Sequence, residues 1–223
     1  MSEAAATPQR LAAEALGSAL LLAAVVGSGI MGERLAAGNV GIALLANTAA
    51  TGAMLFVLIT IFAPISGAHF NPVVSAVAAS QRYITWTLCA AYVAAQLIGA
   101  VIGVAAAHAM FEMPIAQISL RARFGAAQLF SEFVATFGLI TTIMATIRYA
   151  PTRVAAAVAS YIMAAYWFTA STSFANPAVT VARSLSDTFA GIRPIDAPAF
   201  ILAQFGGAIV AMLLSSWLHA RPR

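Results

Sequence analysis

Six stretches of this chain run for about twenty residues or more with almost no charge, and that pattern limits the fold to one solvent. Residues 35–68, 83–107, 154–182 and 197–218 carry no Asp, Glu, Lys or Arg; residues 11–32 carry only Glu14, and residues 125–147 only Glu132. Crossing the ~30 Å hydrocarbon core takes about 20 apolar residues of helix. Six spans are therefore expected, at about 11–32, 42–64, 84–107, 127–148, 154–171 and 198–219. Charged residues make up 8% of the chain, against roughly 25% in soluble domains. A soluble domain, a disordered chain and a coiled coil are excluded, and an all-α integral membrane protein remains. The first run is long and holds an acid early, unlike a cleaved signal peptide. The eleven basic residues, all Arg, stand singly between the apolar runs, which gives no footprint for nucleic acid. The single cysteine, Cys89, reads as a small apolar packing residue.

Two apolar runs are too long for one helix, and each contains an Asn-Pro: Asn71-Pro72-Val73 and Asn176-Pro177-Ala178. Asn is a strong N-cap and Pro suits the first helical position, so each pair reads as a helix start. From Asn71 to Ser80 such a helix would run about 15 Å, half the hydrocarbon core. The backbone before each pair would then be non-helical at membrane depth, which survives only where it lines a cavity or is buried in protein.

The chain also repeats internally. Ser66 precedes Asn71 as Ser171 precedes Asn176; Ala95-Gln96 and Gly99-Ala100 match Ala203-Gln204 and Gly207-Ala208; Glu132 echoes Glu14. Each repeat holds three spans and one half-helix, within about 11–107 and 127–219 of a single domain covering 1–223. Three is odd, so the second repeat is inverted. Paired interrupted segments in inverted halves point to a transport site at the midplane.

With these residues in view, the chain resembles the aquaporin family, and within it the bacterial aquaglyceroporins associated with arsenic-resistance genes. Ser66-Gly67-Ala68-His69-Phe70-Asn71-Pro72-Val73 and Asn176-Pro177-Ala178 look like its two signature loops, and the resemblance extends over nearly the whole chain. It implies six transmembrane helices with two re-entrant half-helices. Val73 stands where the first signature usually has Ala, and Val179 where Arg usually follows the second. Counting from each Asn puts the other selectivity-filter positions at Thr51, Ala164 and Ser173. With Val179 these form a set with no aromatic ring and no charge, resembling a widened filter.

The resemblance also implies residue roles. Asn71 and Asn176 would cap their helices through the side-chain oxygen and turn amide N–H donors toward the lumen. The two half-helix N-termini carry about +0.5 charge each; at ~4 Å and an effective dielectric of ~20, each repels a unit cation by about 2 kcal/mol. Glu14 and Glu132 would hold backbone N–H groups of the re-entrant loops, with Gln96 and Gln204 in the same polar scaffold. A proton relay is the competing reading of intramembrane acids. His69 would line the pore. Arg183, one turn after Val179, either puts charge in the outer vestibule or pairs with a loop acid such as Asp187. His108 and His219 fall at span ends, and Trp86, Trp167 and Trp217 mostly suit interface anchors. No metal site or cofactor is expected.

The expected function is a passive channel, not an enzyme, for small neutral solutes: glycerol-like polyols, neutral arsenic species including methylated ones, and water. A water-selective pore and an ion-coupled transporter are the alternatives. The family implies a homotetramer in the inner (plasma) membrane with both termini cytoplasmic. Arg10, Arg82, Arg148, Arg153, Arg221 and Arg223 would then lie inside and Arg34, Arg121, Arg123, Arg183 and Arg193 outside, a weak positive-inside bias.

Overall fold

The computed structural model describes residues 5–218; His219, Arg221 and Arg223 lie outside them. The helices are α1 (Thr7–Leu35), α2 (Val40–Ser66), α3 (Pro72–Ser80), α4 (Trp86–Met110), α5 (Ala126–Tyr149), α6 (Val154–Phe168), α7 (Pro177–Arg183) and α8 (Ala197–Leu218). The described residues contain no strand. Five of these helices are long and apolar enough to cross a membrane. The sixth span is shorter than expected, because α6 stops at Phe168. The 3-10 turn Pro151–Arg153 leads directly into it, and together they reach about 28 Å.

Burial runs opposite to that of a soluble protein. Glu14, Gln96, Glu132 and Gln204 are completely buried, while Leu45, Val57, Ile98, Leu202 and Leu213 are exposed. Only a hydrocarbon solvent makes that distribution favourable, since it accepts the leucines and requires every polar group to be satisfied within the protein.

The packing repeats as the sequence does. In the first half α1 packs on α2 and α4, and in the second α5 packs on α6 and α8. Each half-helix touches both halves: α3 and α7 each lie against α4 and α8. Glycines permit the tight crossings, among them Gly99 and Gly207. A Cβ on Gly99 would strike the carbonyl of Ala15, and one on Gly207 the carbonyl of Phe133. These carbonyls follow Glu14 and Glu132 by one residue, so the close approach brings Gln96 and Gln204 to the two acids.

Candidate pore and its mouth

Each Asn-Pro pair starts its half-helix as the local chemistry requires. Asn71 Oδ1 accepts from Val73 N at 2.9 Å; Asn176 Oδ1 accepts from Ala178 N at 2.9 Å and Val179 N at 3.3 Å. Pro72 and Pro177 occupy the first helical positions, where no N–H is needed.

The backbone leading to each Asn is strained in the same pattern. Ala68 and Phe70 have φ of 51° and 49°, and their counterparts Ser173 and Ala175 have 50° and 48°. Left-handed conformations cost roughly 1–2 kcal/mol each for residues with a Cβ. Two carboxylates offset this. Glu14 accepts from His69 N at 2.9 Å, Phe70 N at 2.7 Å, Ser66 Oγ at 2.6 Å and Gln96 Nε2 at 2.8 Å. Glu132 accepts from Phe174 N and Ala175 N, both at 2.8 Å, and from Gln204 Nε2 at 2.6 Å. Gln96 also donates to Ser75 Oγ and Gln204 to Thr180 Oγ1, so each acid is tied to the half-helix beyond it. With the loop N–H groups turned to the acids, the carbonyls of Gly67, Ala68, His69, Thr172, Ser173 and Phe174 accept no hydrogen bond among the described residues.

A cavity of about 620 Å³ runs past these loops. Gln81, Tyr83 and Arg148 line it at one end and Thr51, Tyr166 and Arg183 toward the other, with His69, Asn71, Ser173, Asn176 and Val179 between. His69 is half-buried, its Nδ1 3.0 Å from Ser75 Oγ. The asparagine amides are less free than expected. Asn71 Nδ2 donates to Ala175 O and Asn176 Nδ2 to Phe70 O, both at 2.8 Å. One N–H of each amide thus braces the opposite loop, and one is left for the cavity. Pro72, Val73, Pro177 and Ala178 are buried beside them and do not line it.

The cavity end near Thr51 and Arg183 differs from the sequence expectation at Ala164. That residue is exposed on α6, whereas Ile162 and Tyr166 line the cavity. Residues four apart share a helix face and the residue midway between them points away, a phase that counting from Asn176 does not include. Tyr166 donates its hydroxyl to Thr51 Oγ1 at 3.4 Å, so the wall near Thr51, Ser173 and Val179 carries an aromatic side chain after all. It also carries a charge. Arg183 is almost wholly buried and does not pair with Asp187, whose carboxylate accepts from Leu120 N at 2.9 Å. Its Nε donates instead to Ala190 O, and its guanidinium lies 3.4 Å over the Phe174 ring. Arg123, which motif reading passed over, is buried beside it and donates to Gly191 O at 2.7 Å and Ser171 O at 3.0 Å. Burial, and the positive charge of Arg183, lower its pKa to about 9.

Asp196 holds this loop to α8. Its carboxylate accepts from Arg123 N at 2.8 Å and forms an ion pair with Arg193 at 3.0 Å. His108, expected at an interface, is wholly buried; its ring nitrogens lie 3.0 Å from Ile115 O and 2.9 Å from Ser186 Oγ. Spacing in the sequence contains no signal for either contact.

Comparison with known proteins agrees with this geometry. Residues 1–152 match the sequence model of the major intrinsic protein family. The chain is 56% identical over 216 residues to aquaglyceroporin AqpS of Rhizobium meliloti (strain 1021), covering 96% of this chain and 92% of that protein. It is 31% identical over 175 residues to an aquaglyceroporin of Toxoplasma gondii, covering 74% and 65%. The X-ray structure of the aquaglyceroporin from Plasmodium falciparum shares the fold, with a TM-score of 0.75 at 18% identity over 96% of this chain and 98% of that one. The chain belongs to the major intrinsic protein family, whose members are channels rather than enzymes.

Proposed function

We propose that the cavity is the conducting pore of a passive channel for water and small neutral solutes: glycerol-like polyols and neutral arsenic species, methylated ones included. The observation that carries this reading is the pairing of the two half-helices. Their capping asparagines and the loop residues Gly67, Ala68, His69, Ser173 and Phe174, whose carbonyls are unpaired, line one cavity. A solute hydroxyl there finds donors and acceptors in sequence, while two positive helix ends oppose cations. The name of the AqpS relative supports a solute range beyond water. Val179, where the family usually has Arg, supports a mouth that admits larger neutral solutes. Thr51, Ser173 and Val179 are the proposed filter positions, His69 a pore-lining group, and Glu14, Glu132, Gln96 and Gln204 the scaffold of the loops. The family resemblance also carries a homotetramer in the plasma membrane with cytoplasmic termini.

A water-selective pore is the second reading, favoured by Tyr166 and Arg183 at the outer mouth. One assay decides between them: stopped-flow light scattering of proteoliposomes given water, glycerol, arsenite and methylarsenicals in turn. Non-saturating flux of glycerol and arsenite, indifferent to an imposed proton or sodium gradient, is the expected result. Water flux alone would establish the second reading. Flux that follows the ion gradient would overturn both in favour of a coupled transporter.

A further inference from the structure

We propose that Arg183 is a specificity-determining residue of this channel. From one helical turn beyond Val179, its guanidinium supplies the outer mouth with the positive charge and N–H donors that the valine cannot. The proposal rests on the reading of the cavity as the pore. Val179 and Arg183 lie four residues apart on α7, hence on one face, and both line the cavity. The Arg183 side chain is 2% exposed, and its one hydrogen bond among the described residues is from Nε to Ala190 O. Its two Nη groups have no protein partner there, yet they are not among the buried polar atoms sealed from solvent. Arg183 is itself part of the cavity wall.

No carboxylate neutralises this charge by contact. Asp187 accepts from Leu120 N, and Asp196 is occupied by Arg193 and by the Arg123 N–H. Arg193–Asp196 is the ion pair present among the described residues. What holds the guanidinium in place is the face of Phe174, a favourable partner for a cation, together with one carbonyl. Arg123 adds a second buried cation 4.9 Å from the same ring. A buried guanidinium with no carboxylate in contact, and Glu132 acting on it only from a distance, is costly, and a strut for the loop at Ala190 would not require a full charge. Facing the lumen, the charge repels entering cations, and the free Nη donors meet the oxygen atoms of hydroxylated solutes.

The test compares Arg183→Lys, Arg183→Gln and Arg183→Met with the parent in proteoliposomes. Methylammonium and sodium flux report cation exclusion, and glycerol flux per folded channel reports the open pore. Gln and Met should raise cation flux by roughly tenfold or more, while Lys should leave it near the parent value. Lys should also retain more glycerol flux than Met. Cation flux at the parent level in a folded Gln or Met variant overturns the proposal. Equal leak through Lys and Gln would assign the effect to packing rather than charge and overturns it too. So does failure to fold of both neutral variants, with or without Lys, because Arg183 would then serve the fold. A parent with no neutral-solute flux rejects the pore reading itself, a separate outcome from any of these.

Discussion

Asn176 donates its amide N–H to the carbonyl of Phe70, 2.8 Å away and 106 residues earlier in the chain. Asn71 donates to Ala175 O in the reciprocal bond. Each half-helix is therefore capped by its own Asn oxygen and braced by the other repeat's Asn nitrogen. Both functions use one planar amide, whose oxygen accepts while its nitrogen donates in a fixed relative direction.

Asn176→Asp removes the donor and adds a negative charge at the place where two helix ends exclude cations. The Phe70 carbonyl loses its partner, at a cost of about 1–3 kcal/mol. A folded channel with raised cation conductance and lowered glycerol flux is expected. Conductance and solute flux on the same liposomes check it; unchanged neutral flux with no cation leak would reject this placement of Asn176.

Glu14→Gln preserves shape and loses charge at an acceptor of four hydrogen bonds. One carboxylate oxygen accepts from Ser66 and His69 and the other from Phe70 and Gln96, so the new NH₂ group faces two donors, and the two bonds that remain fall from the about 1.5–3 kcal/mol of a charged hydrogen bond toward the about 1 kcal/mol of a neutral one. Thermal stability in detergent should fall by several °C, with lower flux per folded channel. If parent flux responds to a proton gradient and the variant loses that response, Glu14 is a relay and not a scaffold.

Val179→Arg places a second guanidinium on the cavity wall one turn before Arg183. Like charges four residues apart repel, and five new donors narrow the opening. Glycerol flux should fall more than water flux. The measurement is the ratio of the two permeabilities per reconstituted channel; a ratio equal to the parent's would remove Val179 from the narrowest part of the pore.

Neighbouring glycines on α8 should respond differently to a methyl group. Gly207→Ala drives a Cβ into the Phe133 carbonyl, whereas a Cβ on Gly206 meets the Phe133 ring at an ordinary 3.6 Å. Separating α5 from α8 costs about 1–3 kcal/mol and pulls Gln204 from Glu132. Gly206→Ala should keep the parent melting temperature while Gly207→Ala lowers it, as differential scanning fluorimetry would read.

Acid should loosen the loop that carries Arg123. Burial alone would raise the pKa of Asp196, but hydrogen bonds from Arg193 and the Arg123 N–H outweigh it and hold the group below its ordinary value. The folded-state pKa is thus depressed. Its stabilisation is present above the unfolded carboxylate range and is lost as pH falls through the folded value. Hydrogen exchange at Arg123 and its loop neighbours should accelerate only at strongly acidic pH in the parent, and at neutral pH in Asp196→Asn.

Residue order alone made the solvent, the apolar spans, the two half-helix starts and the internal repeat legible. These follow from local quantities: charge-free length, the capping chemistry of Asn-Pro, and matched spacing of Glu14 with Glu132 and Gln96 with Gln204. The close crossings at Gly99 and Gly207 were legible as repeat matches, though not as contacts. What each side chain faces emerged only once the helices had packed. It exchanged Ala164 for Tyr166 on the cavity wall, because helical phase across α6 is not a count of residues. It turned Arg183 from Asp187 toward Ala190 and Phe174, and spent half of each asparagine amide on a loop more than a hundred residues away. Such partners are chosen by the geometry of chain closure, when α3 and α7 meet between α4 and α8, and spacing along one dimension carries no record of it.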